Sequence, residues 1–294
     1  MPLRSMLFVP ADSEKKLAKS DDVKADALIL DLEDAVAPPR KAIAREMALE
    51  YLKARAPGSR ASKVFVRINP LTMPEAEKDL AVVGAGAPDG IMIPKCAGGV
   101  DVTRCSDLLA GIEVRSGLQA GSIKIAAIAG ESARGVLAME SYARDTALIP
   151  RLTALTWGVW DLTVDVGASS HKTSDGKLDF TYQLAMSLTL LAAKATGVAA
   201  IDTVYSDYKN EAGLLALCKD IRRQGWTGKL AIHPAQVAVI HEGFRPAAED
   251  IIYAERVLAA FKTSTDGVAT LDGAMIDQPH LKQARYILEL RDAQ

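Results

Sequence analysis

Eight short runs of apolar and often β-branched residues recur along the chain, each followed by a polar or glycine-containing turn and then a helical pattern. They fall at 5–9 (SMLFV), 27–32 (ALILDL), 64–68 (VFVRI) and 90–93 (GIMI). Four more lie at 123–129 (IKIAAIA), 155–159 (LTWGV), 200–205 (AIDTVY) and 230–232 (LAI). Near-continuous apolar strands alternating with helices are what a parallel sheet covered by helices requires. Eight such units in succession predict an α/β fold of the (β/α)8 TIM-barrel kind, with an open doubly wound sheet as the alternative.

The intervening segments support that reading. Residues 40–55 (RKAIAREMALEYLKAR) and 179–196 (DFTYQLAMSLTLLAAKAT) carry helix-period apolar positions and good helix formers. Pro74 stands where a first helical turn begins, and Gly225 and Gly228 are read as closing a helix before the eighth strand. Beyond that strand the chain continues further than one closing helix needs. Residues 247–262 (AAEDIIYAERVLAAFK) are amphipathic, and 272–291 (DGAMIDQPHLKQARYILELR) end in another helical pattern after Pro279. The expected division is a catalytic barrel over 1–245 and a C-terminal lid or oligomerisation segment over 246–294.

Composition narrows the class. At 294 residues, with 49% hydrophobic and 24% charged, the chain has material for one ample core. A formal net charge of -2 speaks against a nucleic-acid partner, which usually demands a basic excess. No apolar stretch approaches the roughly 18 residues that span a bilayer, so no membrane partner is expected. Cys96, Cys105 and Cys218 are odd in number and lack CxxC spacing, which suggests neither a disulfide framework nor a zinc ribbon. A reduced, cytoplasmic setting is the expectation.

A barrel places functional groups at the C-terminal ends of its strands. The second run ends in Asp31, Glu33 and Asp34, the third carries Arg67, and the fourth ends in Pro94 and Lys95. Glu131, Asp161, Asp202 and His233 follow the fifth to eighth runs. So many carboxylates at one mouth are tolerable if a hard divalent cation neutralises them, and Mg²⁺ takes one or two carboxylates with waters and substrate oxygens. Glu131 and Asp161, on adjacent strands, are the candidate ligands; helix capping is the plainer use of each acid. Arg67 is suited to a bidentate grip on a carboxylate or to an enolate's charge, and equally to a salt bridge with Glu33 or Asp34. His233 and Asp202 are read as structural. GAGAPDG (84–90) precedes a strand instead of following one, so it is no nucleotide loop. Arg4 with Lys15, Lys16 and Lys19 forms at most a shallow phosphate patch.

The stretches RSMLFVPADSEKKLAKS, ADALILDLEDAVAPPRKAIAR, VFVRINP, DGIMIPK, GESARGV, WGVWDL, AIDTVY, GKLAIHPAQ and DGAMIDQP occur in the order seen in the citrate lyase β-subunit-like branch of the HpcH/HpaI aldolase family. The chain resembles that branch over nearly its whole length. The resemblance implies a (β/α)8 barrel that binds Mg²⁺ (or Mn²⁺ in its place) and cleaves a carbon–carbon bond in the coenzyme A thioester of a hydroxy acid, of the malyl-, citramalyl- or citryl-CoA type. It implies Glu131 and Asp161 as metal ligands, Arg67 as the substrate arginine, and Glu33 and Asp34 as supporting acids. The backbone of Gly158, Val159 and Trp160 would receive the substrate carboxylate, and Arg4 and Lys19 would lie near the coenzyme A phosphates. The tail would cover a neighbouring subunit's site, with Asp277 reaching the acyl group, in a homotrimer or a hexamer; a place in a lyase complex is the alternative. Trp160 departs from the family, which commonly has an acid there, and its indole could wall off part of the substrate space.

The expected reaction is a reversible retro-Claisen cleavage to acetyl-CoA and a 2-oxo acid. Aldol cleavage of a free hydroxy-oxo acid, and a binding subunit without turnover of its own, are the rivals. The first would suggest a histidine early in the barrel, whereas no histidine precedes His171.

Overall fold

In each short strand alternate side chains face opposite ways, and here one set meets its counterparts in the middle of a closed ring. The protein, described by a computed structural model over residues 3–144, 150–264 and 267–292, is a barrel of eight parallel strands in sequential order. The strands are β1 (Ser5–Pro10), β2 (Ala27–Asp31), β3 (Lys63–Arg67) and β4 (Gly90–Ile93). β5 (Lys124–Gly130), β6 (Leu152–Trp157), β7 (Ala199–Asp202) and β8 (Gly228–Ala231) complete it, and β8 pairs back onto β1.

Met6, Ala27, Ile29, Phe65, Met92, Ala126, Ile128, Ala154, Ile201 and Leu230 fill the interior. Gly90 is needed there, because a Cβ would stand 2.3 Å from the Phe65 ring that plugs the barrel. The other set of side chains packs beneath helices α1 (Glu14–Ser20), α2 (Lys41–Lys53), α3 (Pro74–Gly84) and α4 (Gly99–Arg115) on one half of the ring. On the other half lie α5 (Ala133–Leu137), α6 (Glu140–Arg144), α7 (Val159–Asp165), α8 (Phe180–Thr196), α9 (Glu211–Gln224) and α10 (Ala235–Gly243). Cys96, Cys105 and Cys218 are buried free thiols in this layer. No helix among the described residues is long and apolar enough to cross a membrane.

The strand ends differ from the sequence reading by one to three residues in most cases, and one glycine changes role. Gly225 closes α9 in the left-handed conformation as expected. Gly228 instead opens β8, where a Cβ would press on the Leu3 carbonyl oxygen at 2.1 Å.

After the barrel come α11 (Ala248–Thr263), a hairpin of β9 (Ala269–Leu271) and β10 (Ala274–Ile276), and α12 (Gln278–Asp292). Ala254, Val257, Ile276 and Ala284 give this tail a small core of its own.

Candidate active site

The register of the first strands sets the site's foundation. Asp31 lies directly opposite Arg67 at the last positions of β2 and β3. The Arg67 guanidinium donates two hydrogen bonds to Asp31, at 2.8 Å to Oδ1 and 2.6 Å to Oδ2. Its remaining nitrogen, Nη1, stands 2.9 Å from Glu33 Oε2, and the group lies 4.6 Å above the Phe8 ring. Planar, stacked and bidentate, the cation is fixed in direction. Burial would favour losing the proton, but the bonds to Asp31 and the charges of Asp31, Glu33 and Glu131 outweigh it, so Arg67 is held above its ordinary value. The sequence reading gave Arg67 to Glu33 or Asp34. Glu33 is a partner, Asp34 is not, and Asp31, taken only as the end of a strand, is the principal one.

Glu131 follows β5 immediately after a register irregularity between Ile128 and Gly130, a feature that re-aims a strand's side chains. Only 5% of Glu131 is exposed. One carboxyl oxygen, Oε2, accepts the Lys95 backbone N–H at 2.6 Å. Burial first, and then the neighbouring charge of Asp161, pushes Glu131 up to about 8. A buried carboxyl so placed is short of positive charge. Gly158 explains how the two strands approach, for a Cβ there would fall 2.6 Å from Glu131 Cγ.

Asp161 sits in the first turn of α7, partly exposed, 3.6 Å from the Lys95 ammonium. The turn's leading N–H groups have no partners within the helix, as at any helix start. The N–H of Gly158 is different: it donates to the Gly130 carbonyl at 3.2 Å and so belongs to the barrel wall. Of the expected carboxylate receptors, Val159 and Trp160 therefore retain a free role, while Gly158 contributes its missing side chain.

Lys95 is the residue that sequence reasoning passed over. It follows β4 with a φ of 52°, the left-handed region that glycine favours. Its ammonium donates to Glu33 Oε1 at 2.5 Å and Asp34 Oδ2 at 3.0 Å. Burial alone would lower its proton affinity, but those two acids raise it. Glu33, 2% exposed, is pushed up by burial against the pull of Arg67 and Lys95. The only sequence signal was its place after the fourth strand.

Three further expectations are corrected or refined. Arg4 precedes β1 and so lies at the opposite end of the barrel, tied to Asp26 at 3.0–3.1 Å. Lys19 lies in the last turn of α1, where with Lys15 and Lys16 it edges a groove of about 410 Å³ lined also by Leu7, Val9 and Ile232. Trp160 turns sideways: its indole N–H donates to Ser206 Oγ at 3.1 Å and its ring meets His171 edge-on at 4.6 Å. It borders a separate pocket of about 740 Å³ among the β6 and β7 loops.

Asp202 donates nothing to the mouth, since it faces the helix layer and accepts from Trp157 Nε1 at 2.8 Å and Lys229 Nζ at 2.5 Å. His233 stacks on Tyr208, with ring centroids 4.6 Å apart. Asp277, at the end of the hairpin, has its Oδ1 2.6 Å from His280 Nδ1 and touches none of the mouth acids in its own chain.

Two carboxylates with open oxygens, a fixed guanidinium and a ring of supporting acids at a barrel mouth define a class: a (β/α)8 enzyme built around a hard divalent cation. Glu131 and Asp161 fit such an ion, because a partly protonated buried carboxyl beside a second acid is relieved by a 2+ charge.

The chain belongs to the HpcH/HpaI aldolase/citrate lyase family, whose sequence model matches residues 4–234. It is 34% identical over 296 residues to a (3S)-malyl-CoA thioesterase of Cereibacter sphaeroides, covering 99% of this chain and 95% of that one. It is also 34% identical to the mitochondrial citramalyl-CoA lyase of Rattus norvegicus, over 99% of this chain and 86% of the relative. Among solved structures, protein CitE of Mycobacterium tuberculosis in complex with magnesium, acetoacetate and coenzyme A superposes with a TM-score of 0.81 at 30% identity, covering 99% and 98% of the two chains.

Proposed function

We propose that this protein is a Mg²⁺-dependent carbon–carbon lyase that cleaves the coenzyme A thioester of a 3-hydroxy acid, of malyl-, citramalyl- or citryl-CoA type, to acetyl-CoA and a 2-oxo acid. The observation that carries the reading is the convergence of Glu131 and Asp161, each with an open oxygen, beside an arginine fixed by Asp31. Relatives named for malyl-CoA and citramalyl-CoA, and a CitE structure holding magnesium and coenzyme A, support the substrate class.

Glu131 and Asp161 hold the cation, which when bound supplies Lewis-acid polarisation of the hydroxy acid's oxygens. The N–H groups of Val159 and Trp160 at the start of α7 orient the substrate carboxylate. The hydroxyl proton passes to solvent water at the mouth, the bond between the carbinol carbon and the thioester's α-carbon breaks, the carbinol oxygen becomes the keto group of the 2-oxo acid, and the electron pair of the broken bond passes to the thioester as an enolate. Arg67, immobile between Asp31 and Phe8, stabilises that negative charge without reorganising. Asp277 of a neighbouring subunit then supplies the proton that turns the enolate into acetyl-CoA. Lys15, Lys16 and Lys19 line a groove suited to the coenzyme A phosphates over an apolar floor. The tail over 246–294 acts as a lid on a neighbour in a trimer or hexamer.

The test is to incubate the pure protein with Mg²⁺ and malyl-CoA or citramalyl-CoA and identify products by mass spectrometry. Acetyl-CoA with glyoxylate or pyruvate is expected, and E131Q should be silent. Free coenzyme A with intact malate would mean thioester hydrolysis, the activity for which the Cereibacter relative is named. Cleavage of free hydroxy-oxo acids, or binding without turnover, would replace the lyase reading altogether.

A further inference from the structure

The mouth holds five carboxylates, Asp31, Glu33, Asp34, Glu131 and Asp161, against two cations, Arg67 and Lys95. Their pairing is selective. Asp31 is occupied on both oxygens by Arg67. Glu33 is shared, with Oε2 facing Arg67 and Oε1 accepting from Lys95. Asp34 is held by Lys95 alone among the described residues. Glu131 Oε1 and Asp161 Oδ2 are the oxygens with no cation or donor against them, whereas Asp34, open at Oδ1, and Glu33, facing Arg67 through Oε2, each have the other oxygen bonded to the Lys95 ammonium.

Lys95 touches four of the five acids from one position. Its ammonium lies 2.5 Å from Glu33, 3.0 Å from Asp34 and 3.6 Å from Asp161, while its backbone N–H holds Glu131 at 2.6 Å. The N–H alone does not explain a lysine. A glycine would supply the same donor at a φ of 52° without steric strain, so the side chain is what the position retains. Nζ itself stands where three carboxylates meet. As they stand, no three acids, histidines or cysteines among the described residues are arranged to hold an ion, and at this point the space between the three carboxylates is taken by the ammonium.

We propose that Lys95 is a positioning residue that confines the mouth to a single divalent cation. Its ammonium is a resident cation on Glu33, Asp34 and Asp161; it keeps the first two from ligating and leaves Glu131 and Asp161 as the one set open to metal. Removing the ammonium vacates a second site of three carboxylates, and the exposed Asp34 is free to close on it. The inference rests on the cation reading of the proposed function and adds the number of ions and the residue that sets it.

The test is equilibrium binding of Mn²⁺, with free ion counted by electron paramagnetic resonance, on the full chain without substrate. Wild type is expected to take about one Mn²⁺ per chain, and K95M and K95Q about two, as each unblocks an oxygen-lined site. The first ion should bind about tenfold more tightly in both variants, since a unit positive charge near it is gone. K95R keeps the charge and should keep the wild-type count. K95M/D34N removes one of the three vacated ligands and should return toward one ion. Far-UV circular dichroism establishes that each variant is folded, and two neutral replacements guard against failure of either. An unchanged count and affinity in folded K95M and K95Q would overturn the role of Lys95 while leaving the metal site standing. Two ions in wild type would overturn it as well. A wild-type chain that binds no Mn²⁺ would overturn the cation reading, and this inference with it.

Discussion

Cation binding to this mouth should expel a proton, and the amount follows from Glu131. Its carboxyl is pushed from an ordinary 4.5 up to about 8, by burial above all and then by the charges of Asp161 and Glu33, with the Lys95 N–H and Arg67 pulling the other way. At pH 7 such a group is about nine-tenths protonated, whereas a ligand must be a carboxylate, so each Mg²⁺ bound should release about 0.9 proton. At pH 9 the figure falls to about 0.1, and apparent affinity should drop about tenfold per pH unit below 8. The assay is isothermal titration calorimetry with Mg²⁺ in buffers of different ionisation enthalpy, where the slope of apparent enthalpy gives the proton count. The same shift fixes the sign of a stability effect. Because the folded group holds its proton more tightly than the unfolded one, metal-free stability is greatest below pH 4.5, declines as pH rises through about 8, and is flat above. The loss is on the order of a few kcal/mol, and saturating Mg²⁺ should restore it. A proton count near zero at pH 7, with affinity constant from pH 6 to 9, would refute the assignment of Glu131 as a buried ligand in need of charge.

Other changes probe separate parts of the site. Gly158→Ala places a Cβ 2.6 Å from Glu131 Cγ, so Mg²⁺ affinity should fall at least about tenfold with an overpacking cost of about 1–3 kcal/mol; calorimetry showing wild-type affinity would count against the close approach. Arg67→Lys keeps a charge but loses the two-pronged grip on Asp31, and kcat should drop about 10²–10³-fold with little change in KM; turnover within threefold of wild type would remove Arg67 from the chemistry. If Asp277 serves a neighbouring chain, E131Q and D277N should each be inactive alone, yet co-expressed oligomers should regain about a quarter of the sites; no recovery in verified mixed oligomers would sink the shared site. Reversing Lys16 and Lys19 to glutamate should raise KM for acyl-CoA about threefold to tenfold, with a weaker dependence on salt; an unchanged KM would move coenzyme A elsewhere.

The barrel was legible because each of its strands is an apolar run bounded by turn residues, a pattern that survives an error of one to three residues at the ends. The acids were legible because the fold demands function at strand ends, and Glu131, Glu33 and Asp161 stand there. Register was not. Nothing in VFVRI says that Arg67 faces Asp31 and not Asp34; that follows only when β2 and β3 are aligned residue by residue. Direction was not legible either: Arg4 immediately precedes the first strand and so lies at the barrel end away from the mouth acids. Lys95 escaped because its importance comes from a left-handed backbone and contacts 36 to 66 residues away in sequence, whereas periodicity reports only neighbours. Trp160 was read as an indole able to wall off part of the substrate space; its hydrogen bond to Ser206, 46 residues away, is a contact that the sequence could not show.

Five acids at one mouth would be costly if each carried an unanswered charge, and the pairings show where the cost is met and where it is left open. Asp31 and Arg67 form a closed bidentate pair. Glu33 and Asp34 are answered by Lys95, with Arg67 helping the first. Glu33 is also buried and pushed up, but two cations pull against it; Glu131 combines burial, a neighbouring negative charge and a carboxyl raised to about 8 with no side-chain cation bonded to it. Structural acids are found with their charges met, whereas an unmet deficit persists where something else is to bind. The deficit at Glu131, beside Asp161 and within the field of an immobile arginine, favours the proposed cation at that point more than the number of acids does, and the proposed role of Lys95 is the counterpart, holding the other acids back.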